Sequence, residues 1–428
     1  MLGTVIRCLL FSLLLTGFGF AMVATGDTKE IGPEQDLCAE IHALRPGDEL
    51  VLRPGEYQGP CAIRNGGTAE RPIVIRARDL EQRPRIVYTP ERENALTVPS
   101  DRGTTLTVRA DHVTIRGLAF GPTRRGVDAI RARSADSLTI EDCTFEGLGG
   151  IAVAASHRAE GRRLTIRRNR IVNSGATAIY IGCHDGVRCA ILEVLMEGNY
   201  IHGVDAPDPE IGYGVQFKLN TWGWIRDNVI GNTKGPGIMV YGATHPDRVS
   251  VVERNAVSGS RTSAGIVLGG GPAIVRNNVA TESAEGGIQL EDYGGRGLLR
   301  NIAIAHNTIY NNGTGGITIY QSAPVSEAWV VNNAVHARPG TAPFPAEGDA
   351  IRSRGNVDCS SGGCFRAPGE RDFSPAPGSP LVGAAANVAQ EWMPKDDFGG
   401  TPRRGPASVG AFEGPGAPIP LGVKRPGQ

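Results

Sequence analysis

The sequence predicts an all-β chain, a right-handed parallel β-helix solenoid with an N-terminal helical cap, and three observations carry that reading. A strand-sized segment ending in asparagine recurs at Asn169, Asn199, Asn228, Asn255, Asn278, Asn307 and Asn333, 23 to 30 residues apart. Between these segments stand short glycine-led strands such as Gly214–Asn220 (GVQFKLN) and Gly237–Gly242 (GIMVYG). Runs of four to six residues rich in β-branched side chains, separated by Gly and Asn turns, have the period of a strand, not of a helix. Self-similarity at this spacing means coils stacked on coils, with like residues vertically aligned about 4.8 Å apart and buried asparagine amides able to bond up the column.

Taken in order, residues 1–24 read as a signal peptide: one arginine, the apolar run Cys8–Ala24, then the charged Thr25–Glu30, with small residues at Ala21 and Ala24 for cleavage. Cys8 lies too early to be a lipidated first residue. Residues 25–109 form the N-terminal cap and first coils. Leu37, Ile41 and Leu44 have helical spacing, and Pro46 and Gly47 end the helix, which is placed to plug the open end of the solenoid. Residues 110–340 form the β-helix core with its groove, interrupted by one large loop, His202–Gly214. Residues 341–428 are rich in Pro, Gly and Ala and read as a C-terminal cap and tail.

An exported chain meets an oxidising compartment, so the localisation expected is secreted or periplasmic and the cysteines are read as disulfides. Spacing pairs Cys38 with Cys61, Cys183 with Cys189 and Cys359 with Cys364, leaving Cys143 as a buried thiol in the asparagine column. The 44 basic and 44 acidic residues balance. That leaves no electrostatic footprint for nucleic acid or an anionic membrane. The partner expected is a polysaccharide, the chain a monomer, with no stable membrane insertion once the leader is removed.

Aligning the glycine strands places Tyr180, Gln216, Met239, Val267, Gln289 and Thr318 in one outward column, and Gly182, Lys218, Tyr241, Gly269, Glu291 and Tyr320 in the next. Their neighbours in the strands are apolar and face inward. Lys218, Tyr241, Glu291 and Tyr320 in near-successive coils, with Gly269–Gly271 clearing space, read as a groove. Its floor and walls would bind substrate through Tyr180, His184, Asp185, Asp205, Tyr213, Gln216, Asn220, Met239, Gln289, Glu291, Asp292 and Tyr320. Tyrosines stack on pyranose faces while Gln, Asn and Asp bond hydroxyls, so the ligand expected is an extended sugar chain.

Gly47–Ala77 (GDELVLRPGEYQGPCAIRNGGTAERPIVIRA) resembles the opening of secreted β-helix proteins of the pectate-lyase-like superfamily, which includes alginate lyases and chondroitinases. The closing segments Asp372–Ala385 and Asp396–Glu413 are similar to the ends of many bacterial β-helix proteins. The resemblance implies a lyase or epimerase acting on a uronate-containing polysaccharide, with a lysine base and an arginine on adjacent coils. Here Lys218 has Tyr241 as its neighbour instead of arginine. Proton abstraction beside a carboxylate needs a base active near neutral pH and a cation to hold the enolate. Lysine and tyrosine have reference pKa values of ~10.4 and ~10, and an adjacent ammonium favours phenolate, which assigns Tyr241 as base and Lys218 as cation, with His245 in reserve. Whether a cofactor is needed is left open. Calcium is implied by the resemblance, but the ligand cluster has no clear counterpart, and Asp205, Asp208 and Glu210 are the carboxylates available. A glycoside hydrolase using Glu291 or Asp292 with a loop acid, and a non-catalytic binding scaffold, are the alternatives.

Overall fold

The computed structural model of the protein describes residues 26–88, 103–134, 136–183, 185–187, 189–294 and 297–414. The expected signal peptide, residues 1–24, and His184 lie outside the described residues. Short strands, most of three to five residues, wind into three parallel sheets of 13, 11 and 12 strands. The first sheet holds the strands that lead into asparagine, the second the glycine-led strands, and the third the strands after the asparagine turn, such as Tyr200–Val204 and Val229–Thr233.

Stacking in register explains the core. Ile166, Met196, Ile225, Val252, Val275, Ile304 and Val330 are paired strand to strand and form one buried column. Inward residues of the second sheet, among them Ile179, Val215, Phe217, Ile238 and Val240, face it and are buried too. Removal of these side chains from water is the main force holding the coils together.

The asparagine column stands as the sequence places it, at the corner between the first and third sheets. Each asparagine oxygen accepts both the backbone N–H and the side-chain Nδ2 of the asparagine one coil before: Asn199 N and Nδ2 both lie 2.9 Å from Asn228 Oδ1. The ladder runs unbroken from Asn169 to Asn356. The residue before each rung, for example Asp227, Arg254, Asn277 or His306, has positive φ, which turns the chain sharply and aims the amide inward. Cys143 occupies the rung below, buried, its N–H donating to Asn169 Oδ1 at 3.0 Å.

The helix Leu37–Ala43 starts at Asp36, whose side chain accepts from Cys38 N and Ala39 N, and it buries Leu37 and Ile41. It packs on Cys61–Ile63, the terminal strand of the second sheet, and the Cys38–Cys61 disulfide ties the two. Asn65 Nδ2 donates to the free carbonyls of His42 and Leu44 at the other helix end. The other two disulfides, Cys183–Cys189 and Cys359–Cys364, are also those read from spacing.

The tail does more than close the end. From Asp372 to Glu413 it runs back along the side of the solenoid, where Phe373, Leu381, Val409 and Phe412, with Phe365 just before them, bury against Ala256, Val279 and Ala334. Arg403, almost wholly buried, donates to Asn277 Oδ1 at 2.7 Å and to Gly410 O at 2.8 Å and pairs with Glu413. No helix among the described residues is long and apolar enough to cross a membrane.

Candidate active site

The strand Val215–Phe217 turns Gln216 outward and leaves Lys218 on the same face two residues on. One coil later Ile238–Val240 does the same for Met239 and Tyr241. The register read from the sequence holds: Tyr180 pairs with Gln216, Gln216 with Met239, Met239 with Val267, Val267 with Gln289 and Gln289 with Thr318.

The floor is covered, not open. Lys218 is 3% exposed, Tyr241 2%, Gln216 1% and Met239 0%. Lys218 Nζ donates to Tyr241 Oη at 3.2 Å and stands 4.4 Å from the Tyr241 ring centroid and 5.3 Å from that of Tyr180. The amine thus meets two ring faces and a phenol oxygen, electron-rich groups that take the place of water around it.

Two segments provide the cover. The loop before Tyr213 is tied down by Lys234, whose Nζ donates to Ala206 O at 3.0 Å, Asp208 Oδ1 at 2.6 Å and Glu210 O at 2.6 Å. Tyr213 itself is fixed through its carbonyl, which accepts from Ala178 N, and through its N–H, which donates to Thr177 Oγ1. The second segment follows Glu291 and lays the Tyr293 ring against Tyr241, centroids 5.1 Å apart. Gly269 makes this possible, since a Cβ there would stand 3.0 Å from Met239 Cε and 3.4 Å from Tyr293 Cδ2. Gly182 clears the other side: its φ is +87°, and a Cβ would come within 3.0 Å of Lys218 Cβ.

The hydroxyl of Tyr213 is hydrogen-bonded with both Tyr241 and Tyr293, and Tyr293 with Glu291. Burial and the neighbouring phenols push Tyr213 well above the ordinary tyrosine range, and burial does the same for Tyr293. Glu291, half-buried, is also raised, chiefly by desolvation and against the hydrogen bond it accepts from Gln289 Nε2 at 3.2 Å. The result is a hydrogen-bonded row, Lys218, Tyr241, Tyr213, Tyr293, Glu291, with an ammonium at one end and a carboxyl at the other.

A cavity of about 400 Å³ opens over this row, lined by Tyr180, Gln216, Lys218, Tyr241, Tyr213 and Tyr293, with Ile151 and Ile211 on its apolar side and Glu210 from the covering loop. Gln216 Oε1 is buried there with no hydrogen-bond partner. A buried acceptor left open in this way is costly unless a ligand donor or water completes it.

The other residues singled out from the sequence do not line that cavity. His245 is exposed, its Nδ1 3.7 Å from an Asp247 carboxylate oxygen. The Asn220 side chain is committed to loop structure, donating to Gly186 O at 2.9 Å and accepting from Thr244 N and Oγ1 at 2.7 and 2.9 Å. Asp185 is exposed and accepts from Val187 N. Gln289 and Glu291 sit one coil past Val267, Asp292 is exposed beside them, and Tyr320 lies in a short 3₁₀ turn, its Oη accepting from Gln321 Nε2 at 3.1 Å. Tyr293 stands two residues past the columns that the sequence aligns, and its place directly after Glu291 and Asp292 is the one signal the sequence offers.

The acidic loop does not assemble a cation site. Asp205 is paired with Arg261 and Asp208 with Lys234, while Glu210 turns to the cavity. Among the described residues one trio of potential ligands comes close enough together, Cys183, Asp185 and Cys189, and its two cysteines are joined as a disulfide. These residues do not fit calcium.

The sequence pattern of the right-handed β-helix region matches residues 125–247 and 193–358, together more than half of the 428 residues. The chain belongs to the right-handed β-helix family. Among solved structures, this β-helix protein is similar to a pectate lyase, Pel9A, at 16% identity and a TM-score of 0.55, over 92% of this chain and 98% of that one. It is similar to XylC in complex with xylose at 9% identity and a TM-score of 0.53, over 77% of this chain and 83% of that one. An alginate lyase from Paenibacillus sp. str. FPU-7 aligns at 16% identity with a TM-score of 0.49, over 78% and 99%. No curated protein matches the chain by sequence.

Proposed function

We propose that this β-helix protein is an exported lyase acting on a uronate-containing polysaccharide. The observation that carries the reading is the buried Lys218–Tyr241 contact of 3.2 Å at the base of a sugar-sized cavity. Elimination beside a carboxylate needs a base, and a cation to hold the charge that develops. Tyr241 is the base, because the ammonium touching its oxygen favours the phenolate. Lys218 also draws in the substrate carboxylate, Tyr180 gives a ring face for stacking, and Gln216 Oε1 accepts from a sugar hydroxyl. The likeness to a pectate lyase supports a scaffold suited to this chemistry. Three disulfides fit an oxidising compartment and hence export.

An epimerase would share the first step. Hydrolysis is less well supported, because it needs two carboxyls across one bond and Glu210 is the one carboxylate among the described lining residues. The test is incubation with a panel of uronate and neutral polysaccharides. Unsaturated sugar ends, seen as new ultraviolet absorbance, are expected with a uronate polymer. New reducing ends without that absorbance would point to hydrolysis, and binding without any product to a scaffold.

A further inference from the structure

The phenol that covers the base is itself placed to do chemistry. We propose that Tyr213 is the general acid of the reaction, protonating the leaving O4, and that the enzyme therefore cleaves uronates whose H5 and O4 lie on the same ring face. This rests on the lyase reading and on Tyr241 as its base.

Tyr213 and Tyr241 line one cavity, pack in one buried cluster with Met239 and Val267, and are joined through their hydroxyls. Two oxygens so joined address one face of one sugar. Their surroundings differ. Tyr241 has the Lys218 ammonium at its oxygen, which favours the ionised form. Among the described residues the hydroxyl of Tyr213 is bonded with Tyr241 and Tyr293, both phenols, and a Tyr241 phenolate would hold its proton in place. Behind Tyr293 stand the carboxyls of Glu291 and Glu285, both bonded by Gln289 Nε2, and Glu210 faces the cavity from the covering loop. All of these negative groups disfavour a second phenolate. Two like groups whose surroundings drive them to opposite protonation states make an acid and base pair.

The step balances. The Tyr241 oxygen takes H5, the electrons of the C5–H bond form the C4–C5 double bond, and the C4–O4 bond breaks. O4 leaves with the Tyr213 proton. Tyr241 is now a phenol hydrogen-bonded to a Tyr213 phenolate, and transfer of one proton along that bond restores both residues without solvent.

With acid and base on one side, H5 and O4 must be syn, as in glucuronate and mannuronate units. In galacturonate and guluronate units they are anti, on opposite faces.

The experiment compares wild type with Tyr213→Phe and Tyr241→Phe on polyglucuronate, polymannuronate, polygalacturonate and polyguluronate, and on a uronate carrying a 4-nitrophenyl group at O4, which leaves without protonation. Wild type is expected to release unsaturated product from one or both of the first two polymers and from neither of the last two. Tyr213→Phe is expected to lose at least tenfold in kcat on polymer with KM little changed, and to recover on the nitrophenyl substrate; Tyr241→Phe is expected to fail on both. Product from an anti polymer would overturn this proposal and leave the lyase reading standing, as would equal losses for Tyr213→Phe on polymer and nitrophenyl substrate. No unsaturated product from any uronate would overturn the lyase reading, and this proposal with it.

Discussion

Replacing Asn255 by alanine strikes the asparagine ladder at its middle, and the structure sets the size of the loss. The Asn255 side chain is fully buried and takes part in five hydrogen bonds. Nδ2 donates to Ile225 O at 2.8 Å, Glu253 O at 3.1 Å and Asn278 Oδ1 at 2.9 Å, and Oδ1 accepts from Asn228 N at 3.1 Å and Nδ2 at 2.9 Å. Asn228 Nδ2 keeps Met196 O and Arg226 O, but Asn228 N–H loses its ladder acceptor in a dry interior. At about 0.5–1 kcal/mol for each of the five bonds, the loss is roughly 3–5 kcal/mol. Asn356 is the internal reference: at the open end it is only partly buried and receives no rung from beyond, so Asn356→Ala is expected to lose about 1–2 kcal/mol. Urea unfolding followed by circular dichroism measures both. Equal losses, or less than about 1 kcal/mol at Asn255, would refute the view that the ladder is a load shared along the stack.

Further expectations follow from the buried titratable groups. The Cys143 thiol is pushed up to about 12 by burial, so the native protein at pH 8 is expected to leave it unalkylated by iodoacetamide while unreduced peptide mapping finds the three disulfides; labelling without unfolding would contradict the packing. His306 is held down to about 3 by burial and by Arg403. Its Nε2 accepts from Asn332 Nδ2 and its Nδ1 donates to Ser408 O, so the neutral ring joins the coil to the tail. Because the folded value lies below the unfolded 6.5, its contribution is complete above pH 6.5 and is lost as pH falls from 6.5 toward 3. The acid-side fall in thermal midpoint is expected to shrink in His306→Gln, and an unchanged fall would show that His306 stays neutral in acid or is accessible to water.

What the sequence made legible is what depends on period. Once strands are known to stack, Gln216 must lie over Tyr180 and under Met239, and Asn228 must meet Asn255, because parallel pairing fixes neighbours one coil apart. What it left dark is the path of segments that leave the coil. Tyr213 reads as a wall residue but closes over Tyr241, and Tyr293 escapes notice because neither belongs to a stacked strand. Asp205 and Asp208 read as free carboxylates because Arg261 and Lys234 arrive from later coils. The tail's apolar residues Phe373, Leu381 and Phe412 have no period, so nothing in their spacing says that they cover the flank of the solenoid.

The buried Lys218–Tyr241 pair is the proposed reactive group, and turnover by Tyr241→Phe is its decisive test. The substitution removes one oxygen that accepts from Lys218 and bonds Tyr213, and it leaves the ring that packs on Tyr293. On a uronate polymer cleaved by the wild type, Tyr241→Phe is expected to release no unsaturated product, with polymer binding largely retained and the fold unchanged by circular dichroism. Wild-type turnover in Tyr241→Phe would contradict that assignment.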